Sequence, residues 1–390
     1  MKLAFYYHIT LNEIKNQFFL PGYLGVFIDS IANEVEELYL VMHQANSNES
    51  KEADYALISD NIHWINLGLK TPVWHRDIFH RRFLKKPLAE IENCDALVVR
   101  SPSPLAPYFH KYLNKPKLVF MVVGDYLESV EQWKLKSIRD WFELQYLKYN
   151  DFLFRRSMRT TDIMVNSPAL FNKYEDIAKS IHQIRTTTLS SDDFYERKDT
   201  CQNEIIELLY TGRIDPLKGL FELVETVSVL RNDHLNVRLN IVGWESEESR
   251  PVENELKSRI ARLGIDDYVI FHGRKSVGPA LNDMYRKGDI YVLPSHEEGF
   301  PRTIWEAMAN ALPVITTDVG GIPSYLTHNE NAYMIKPKSA GLISDAIRIL
   351  ISNQNLRQRL IKNGQDIARE NTLEIQSKRI VDIVNTLANE

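Results

Sequence analysis

The sequence predicts an α/β fold with parallel sheets, divided between two domains. Short apolar runs alternate with helix-like stretches along the whole chain, and this alternation is typical of parallel sheets covered by helices on both faces. The length of 390 residues exceeds that of a typical single domain and favours two. Because ligands of such sheets bind at the carboxyl ends of the strands, functional residues are expected there.

Each predicted strand is a short apolar run bounded by polar or turn-forming residues. These runs are Leu3–Tyr7, Glu37–Met42, Ala96–Val99, Leu118–Val123, Ile163–Asn166, Ile206–Tyr210, Arg238–Val242, Val269–His272, Ile290–Leu293, Val314–Thr316 and Ala332–Ile335. Amphipathic stretches separate the later strands and predict helices. They are Leu217–Arg231, Glu253–Leu263, Pro301–Ala311 and Ala340–Asn353.

A polar, irregular stretch at 185–200 is the predicted domain boundary. It favours a first domain at 1–190 and a second at 200–372, both of ordinary domain size. The alternative is that the stretch is a long surface loop.

Composition excludes several classes of protein. The net charge of −5 argues against general nucleic-acid binding, which needs a strong positive field. Two distant cysteines, Cys94 and Cys201, form neither a disulfide framework nor a metal motif, and a reducing cytosol suits them. The N-terminus resembles a first strand rather than a signal peptide, and no run reaches the ~18 apolar residues of a membrane span.

The most specific feature is a pair of glutamates, Glu298 and Glu306, separated by a glycine turn. A predicted strand precedes them, and Pro301 can open a helix between them. The first N–H groups and the positive end of that helix predict a phosphate site. Carboxylates beside it suit sugar or ribose hydroxyls. Alternatively, Glu298 has no ligand and Glu306 pairs with a neighbouring arginine.

A second strand–turn–helix unit follows the same plan at 208–219. Gly212 turns the chain and a helix is predicted to start near Pro216, with Arg213 and Lys218 flanking the turn. Cations are poorly placed at the positive end of a helix, so an anionic ligand accounts for both. Arginine grips two oxygens and lysine acts as a point charge, which together suit a diphosphate. The alternative is two surface cations.

These motifs resemble glycosyltransferase family 4, a group of retaining nucleotide-sugar enzymes with the GT-B architecture. The resemblance covers about residues 208–369. It is carried by Gly212-Arg213 with Lys218-Gly219, Leu239-Asn-Ile-Val-Gly243, Val269-Ile-Phe-His-Gly273, Glu298-Gly-Phe with Glu306-Ala-Met-Ala309, and Pro313-Val-Ile-Thr-Thr-Asp-Val-Gly-Gly-Ile-Pro323. It implies two Rossmann-like domains whose parallel sheets face each other across a cleft, with acceptor binding at 1–190 and donor binding at 200–372. A C-terminal helix at about 373–390 would pack back onto the first domain.

The resemblance also implies roles for individual residues. Arg213 and Lys218 would stabilise the leaving diphosphate, Glu298 would hydrogen-bond the transferred sugar, and these three are the predicted catalytic residues. Glu306 would hold the ribose hydroxyls. The other implied donor-binding residues are Gly22, Gly212, Gly243, Arg274, Lys275, Gly299, Phe300 and Thr303. No metal and no cofactor is expected, because fixed cations aimed at the leaving group can each contribute roughly 2.7–4 kcal/mol.

The sequence departs from the family pattern in three places. Pro301 removes one possible donor to the ligand, and Arg302 after it points either to the sugar or to solvent. The glycine pair expected after the first strand is spread to Gly22 and Gly25. After the strand at 119–123, Asp125 stands where many members carry a histidine. Asp125 is predicted either to orient an acceptor hydroxyl or to cap the next helix.

A basic and aromatic cluster at 74–86 leaves two interpretations open. It contacts the inner face of a membrane or an anionic acceptor, or it is an ordinary solvated helix whose aromatic side chains face the core. The predicted location is the cytoplasm, with peripheral membrane association under the first interpretation.

The predicted function is transfer of a sugar from a nucleoside-diphosphate donor to a hydroxyl of a saccharide or lipid-linked acceptor, in surface polysaccharide or glycolipid biosynthesis. Two alternatives are a sugar-nucleotide epimerase or hydrolase of the same fold, and a non-catalytic nucleotide-sugar-binding partner. A dehydrogenase is unfavoured, because no Gly-x-Gly-x-x-Gly follows an early strand.

Overall fold

A computed structural model describes residues 1–46, 53–113, 115–125, 127, 137–245 and 247–390, with the backbone alone at 138 and 139. The chain divides into two compact units, Met1–Thr186 with Leu373–Glu390, and Thr187–Thr372. Each unit has a sheet with parallel pairing and its own helices, so the α/β class predicted from the alternating pattern is confirmed.

The first unit is built on a mainly parallel sheet. Its strands are β1 (Lys2–Ile14), β2 (Gln17–Leu20), β3 (Glu37–Gln44), β4 (Tyr55–Ala56), β5 (Ile62–Leu69), β6 (Ala96–Ser101), β7 (Lys117–Val122), β8 (Asp162–Val165) and β9 (Ser180–Gln183). Parallel pairing runs in the order β5-β3-β1-β6-β7-β8-β9, and β2 and β4 extend the end of β1 antiparallel. The helices are α1 (Gly22–Ala32), α2 (Val73–Ile78), α3 (His80–Glu90), α4 (Ala106–Tyr112), α5 (Ile138–Met158) and α6 (Pro168–Tyr174).

The second unit contains a parallel sheet in the order β12-β11-β10-β13-β14-β15. Its strands are β10 (Ile206–Thr211), β11 (Val237–Val242), β12 (Val269–Gly273), β13 (Ile290–Leu293), β14 (Val314–Thr317) and β15 (Tyr333–Ile335). Its helices are α7 (Leu220–Asn232), α8 (Pro251–Leu263), α9 (Pro279–Lys287), α10 (Arg302–Ala309), α11 (Ala340–Ser352) and α12 (Gln354–Arg369). The last helix of the chain, α13 (Leu373–Ala388), packs on α1 of the first unit.

Strand order defines one topological switch point in each sheet. In the second unit the chain builds β10, β11 and β12 outward and then returns to the other side of β10 with β13. In the first unit it builds β1, β3 and β5 outward and returns to the other side of β1 with β6. Loops diverge at such points and leave a crevice at the carboxyl ends of the strands, where ligands bind.

Two local predictions differ from the structure. The first strand continues beyond Tyr7 to Ile14 and turns through Lys15 and Asn16, at φ 51° and 62°, into β2. The helix predicted near Pro216 begins at Leu220 instead, after a 3-10 turn. That turn ends at Gly219, whose φ of 68° suits glycine and where a Cβ would lie 2.1 Å from the Pro294 carbonyl oxygen. Proline therefore opens the 3-10 turn rather than the α-helix.

The cluster at 74–86 forms α2 and the first half of α3. Trp74 is 56% exposed and Phe79 is 48% exposed, whereas Phe83 packs against the core of the first unit. Core-facing aromatic side chains therefore account for one of these three residues.

Candidate functional site

The switch point of the second unit brings two of the predicted catalytic residues into contact. Because β10 and β13 are paired neighbours, the loops that follow them lie side by side. The Lys218 ammonium donates to Oε1 of Glu298 at 2.6 Å. The hydroxyl of Ser295 donates to the same oxygen at 2.8 Å. An ion pair thus joins residues predicted separately to act on the diphosphate and on the sugar.

Glycine contacts fix the loop after β10. A Cβ at Gly243 would lie 1.7 Å from the carbonyl oxygen of Gly212, so no larger residue fits there without a backbone shift. The N–H of Gly243 donates to the carbonyl of Gly273 at 3.0 Å, and the N–H of Gly212 donates to that of Val242 at 3.0 Å. The first turns after β10, β11 and β12 are therefore held together by backbone contacts that depend on glycine.

A second pair of glycines fixes the loop that carries Glu298. A Cβ at Gly320 would lie 1.6 Å from the carbonyl oxygen of Glu298. A Cβ at Gly321 would lie 2.2 Å from that of Gly299, and the Gly321 N–H donates to this oxygen at 2.7 Å. The loop after β14 thus supports the loop after β13 and limits where the Glu298 carboxylate can lie.

Glu306 lies on α10, is 8% exposed and accepts hydrogen bonds through both carboxylate oxygens. The hydroxyl of Thr188 donates to Oε1, and that of Tyr285 donates to Oε2 at 2.7 Å. Neither partner is an arginine, in contrast to the alternative considered from the sequence. Because a carboxylate has about four acceptor positions, two remain for further donors.

Buried hydroxyls continue from Glu306 to a second predicted donor-binding residue. The hydroxyl of Tyr285 lies 2.7 Å from that of Thr211, which is 3.2 Å from the hydroxyl of Tyr291. Tyr291 donates in turn to the hydroxyl of Thr303 at 2.7 Å. Burial, aided by nearby carboxylates, raises the pKa values of Tyr285 and Tyr291, so both remain protonated donors.

Sequence reasoning missed Thr188, Thr211, Tyr285 and Tyr291. The hydroxyl groups of Tyr285 and Tyr291 lie on fully buried side chains, and a buried tyrosine usually needs a partner for its hydroxyl. That rule flags Tyr291, which stands in a predicted apolar strand, but does not say which residue it contacts.

The remaining predicted catalytic residue, Arg213, and several predicted donor-binding residues follow the carboxyl ends of strands in the same sheet. Arg213 is exposed, and within the part of the chain that the structure describes its guanidinium has no hydrogen-bond partner. The guanidinium of Arg274 lies over the ring of Trp244 at 4.8 Å, and Lys275 is exposed. Gly299 is exposed as well.

Phe300 has a different environment from that of its neighbours in the loop. Its ring stacks on Trp305 at 4.4 Å and meets Tyr325 edge-on at 4.8 Å. Its side chain therefore anchors the start of α10, and its backbone is the part left for a ligand.

His296 pairs with Glu222, with Nε2 3.1 Å from Oε1.

Two predicted residues belong to the first unit. The N–H of Gly22, at the start of α1, donates to the carboxylate of Asp54 at 2.8 Å, so a protein carboxylate already occupies that donor. Asp125 pairs with Lys173 and accepts from the N–H of Leu127 at 3.1 Å. Tyr126, next to Asp125, lies outside the described residues.

Over the described ranges, no group of three or more His, Cys, Asp or Glu side chains is placed to hold a metal ion. Within those same ranges, no helix has both the length and the apolar composition of a membrane-spanning segment.

Comparison with known sequences finds similarity to glycosyltransferases, with the family match in the second unit. Residues 192–367 match the family model for glycosyl transferases group 1. Protein CapJ of Staphylococcus aureus is 27% identical over 312 residues, which cover 78% of this chain and 75% of that protein. The capsular polysaccharide biosynthesis glycosyltransferase CapM of the same organism is 26% identical over 210 residues, or 53% of each chain.

Comparison with solved structures extends over both units. The crystal structure of Anabaena Alr3699/HepE in complex with UDP matches 99% of this chain and 100% of its own, with a TM-score of 0.74 and 16% identity. At that identity the likeness concerns the fold, and it confirms the GT-B class expected from the sequence resemblance.

Proposed function

We propose that the chain is a member of the glycosyl transferases group 1 family, whose model matches residues 192–367, and that it catalyses the following reaction. A sugar is transferred from a nucleoside-diphosphate sugar to a hydroxyl of a saccharide or lipid-linked acceptor, in surface polysaccharide or glycolipid biosynthesis. The observation that carries the proposal is the contact of Lys218 with Glu298 at the switch point between β10 and β13. Supporting it, HepE was crystallised with UDP-glucose, and CapM acts in capsular polysaccharide biosynthesis.

Leaving-group stabilisation is assigned to Lys218 and Arg213. An ammonium has three donors, so Lys218 can keep its bond to Glu298 and still donate to the diphosphate. Arg213 supplies a planar guanidinium that suits two phosphate oxygens. Charge grows on those oxygens as the sugar leaves, and fixed cations lower the barrier without reorganising. The proposed reaction therefore draws its positive charge from side chains, without a metal ion or a cofactor.

Sugar and ribose contacts are assigned to the two glutamates. Glu298 accepts from a hydroxyl of the transferred sugar, and Glu306 accepts from the ribose through the positions that Thr188 and Tyr285 leave open. The backbone of Gly212, Gly243, Arg274, Lys275, Gly299, Phe300 and Thr303 is assigned to the rest of the donor.

Retention of the anomeric configuration is part of the proposal. The bond from the anomeric carbon to the phosphate oxygen breaks, and the acceptor oxygen bonds to the same face. The acceptor proton passes to the leaving phosphate.

We further propose that the protein is cytoplasmic and contacts the inner face of a membrane through α2 and α3. Trp74, Ile78 and Phe79 are 56%, 64% and 48% exposed. The exposed basic side chains follow them in sequence and are Arg81, Arg82, Lys85 and Lys86. Exposed aromatic groups beside cations suit an anionic bilayer surface. Binding to vesicles with and without anionic lipid tests this contact, and it would be absent if both vesicle types bound equally weakly.

The deciding experiment measures donor binding and turnover. UDP-, GDP- and ADP-sugars are screened by thermal shift, where a ligand at 100 times its Kd stabilises by about 2.7 kcal/mol. Release of nucleoside diphosphate is then measured with and without candidate acceptors, with EDTA present. Lys218→Met is expected to lower release by about 100- to 1,000-fold, whereas Lys362→Met, which changes an exposed lysine on α12, is the matched control. Release into water alone would favour a hydrolase, and binding without release would favour a non-catalytic partner.

A further inference from the structure

The first strand changes its path beside the switch point of the first unit. Tyr6 pairs with Val41 of β3, but the next parallel partner pair is Thr10 with His43. Three residues of β1 therefore stand opposite one residue of β3. Such bulges re-aim side chains and are frequent next to ligand sites. His8 lies in the middle of this bulge.

Arg100 reaches the bulge from the other side of the switch point. It lies on β6, next to Val99, which pairs with Tyr6. Its guanidinium lies 4.7 Å from the centre of the Tyr7 ring, and that ring meets the imidazole of His8 at 4.6 Å. The bulge in β1 and the end of β6 thus place a histidine and an arginine beside the same tyrosine ring.

Both polar side chains carry an unused buried atom. Nδ1 of His8 and Nε of Arg100 are buried and make no hydrogen bond within the described part of the chain. Buried polar groups in proteins are nearly always paired, so each exception calls for a partner such as a ligand. Because both unpaired nitrogens lie at the same switch point, we infer that one ligand pairs with both.

The electrostatics specify the sign of that ligand. Burial, followed by the positive charges of Arg76, Lys70 and Arg100, lowers the pKa of His8 to about 3. His8 is therefore neutral at physiological pH and can donate one N–H without bringing a charge. Arg100 contributes a guanidinium cation. A fixed cation beside a neutral donor suits an oxyanion.

We propose that Arg100 and His8 form a binding site for an oxyanion, a phosphate or carboxylate carried by the acceptor. This inference rests on the proposed sugar transfer for its assignment to the acceptor. The donor diphosphate already has Arg213 and Lys218 in the second unit. The carboxylate of Asp125, which was predicted to serve the acceptor, is paired with Lys173 and does not compete for the cation. The acceptor is therefore an anionic saccharide or a lipid-linked phosphate.

A direct test observes the imidazole of His8 by NMR of protein labelled with ¹⁵N-histidine. The His8 signals are assigned as those that disappear from the spectrum of His8→Gln. Inorganic phosphate, glucuronate and micelles of a short isoprenoid phosphate are titrated into the full-length protein. At least one probe is expected to shift the His8 signals, and Arg100→Gln is expected to weaken that probe at least tenfold. Arg159→Gln, an exposed arginine after α5, should titrate as wild type. A response to glucuronate assigns a carboxylate, and a response to isoprenoid phosphate alone assigns a lipid-linked source.

A kinetic test separates this inference from the proposed function. Arg100→Gln is expected to raise the acceptor KM at least tenfold and leave the donor KM unchanged, and Arg100→Lys should lie between it and wild type. A wild-type midpoint in urea unfolding of the first unit shows that the variant is folded. The inference would be overturned if none of the three probes shifted the His8 signals, or if a probe shifted them equally in the wild type and in Arg100→Gln. Failure of the wild-type protein to bind any nucleotide sugar would overturn the proposed function instead, while the NMR response would still support the anion site.

Discussion

Replacement of Gly243 by alanine should displace the loop that carries Arg213. The new Cβ would lie 1.7 Å from the carbonyl oxygen of Gly212, whereas real contacts of this kind stay above 3.0 Å. The two backbones must therefore separate by about 1.3 Å, because neither partner is a flexible side chain. Overpacking of this kind costs about 1–3 kcal/mol of stability. A displacement of about 1 Å at a catalytic group can lower the rate by about 100-fold.

The assay combines donor affinity, turnover and urea unfolding of Gly243→Ala. We expect a folded protein whose nucleoside-diphosphate release falls by about 100-fold. Gly341→Ala is the matched control, since its new Cβ would meet only Ser339 Oγ at 3.8 Å, and removing a glycine at a compatible site stabilises by about 0.4–1 kcal/mol. A folded Gly243→Ala variant with wild-type turnover would refute the reasoning, because turnover would then not depend on the position of the loop after β10.

Three further predictions follow from specific contacts. Tyr285→Phe removes a charge-assisted hydrogen bond to Glu306 that is worth about 1.5–3 kcal/mol. It should raise the donor KM about tenfold with little change in kcat. Tyr333→Phe is the control, and an equal rise in donor KM in both variants would argue against a positioning role for Tyr285. A double-mutant cycle of Lys218→Met and Glu298→Gln should give a coupling energy in transfer of at least about 1 kcal/mol; additive effects would mean that the two side chains act independently. His8 has a lowered pKa of about 3, so the unfolded chain binds its proton first and stability falls as pH drops below the unfolded value of about 6.5. Between pH 7 and pH 5, the free energy of unfolding of the first unit in urea should fall by about 2 kcal/mol more in the wild type than in His8→Asn. An equal fall in the two proteins would contradict this prediction.

Sequence patterns correctly predicted those strands and helices that depend mainly on neighbouring residues in the chain. The run Ile290–Leu293 is a strand with the bounds predicted for it, because a short, fully apolar run between Gly288 and Pro294 has few other solutions. The strand β5 was missed, since polar His63 and Asn66 interrupt its apolar positions and Gly68 weakens it further. Its pairing with β3 is a tertiary effect that no local window contains.

The candidate site shows the same division. The spacing of Glu298 and Glu306 is local, and it correctly predicts a turn followed by a helix that carries the second glutamate. The contact between Lys218 and Glu298 spans 80 positions and depends on β10 and β13 being neighbours, which only strand order decides. The hydroxyls on Glu306 come from Thr188 and Tyr285, and their convergence is a result of packing.

The two switch points share one topology but differ in the polar groups around them, and glycine marks the difference. In the second unit, backbone-to-backbone contacts at Gly243 and Gly320 bring loops so close that carbonyl and N–H groups fix the positions of charged side chains. In the first unit, Nδ1 of His8 in the bulge and Nε of Arg100 on β6 have no partner among the described residues. A rigid crevice with paired charges suits a ligand of constant structure, such as a nucleoside diphosphate, because little is reorganised on binding. A site with unsatisfied donors is stabilised by its ligand instead, so we expect the protein's stability to respond to the acceptor through the first unit and to the donor through the second.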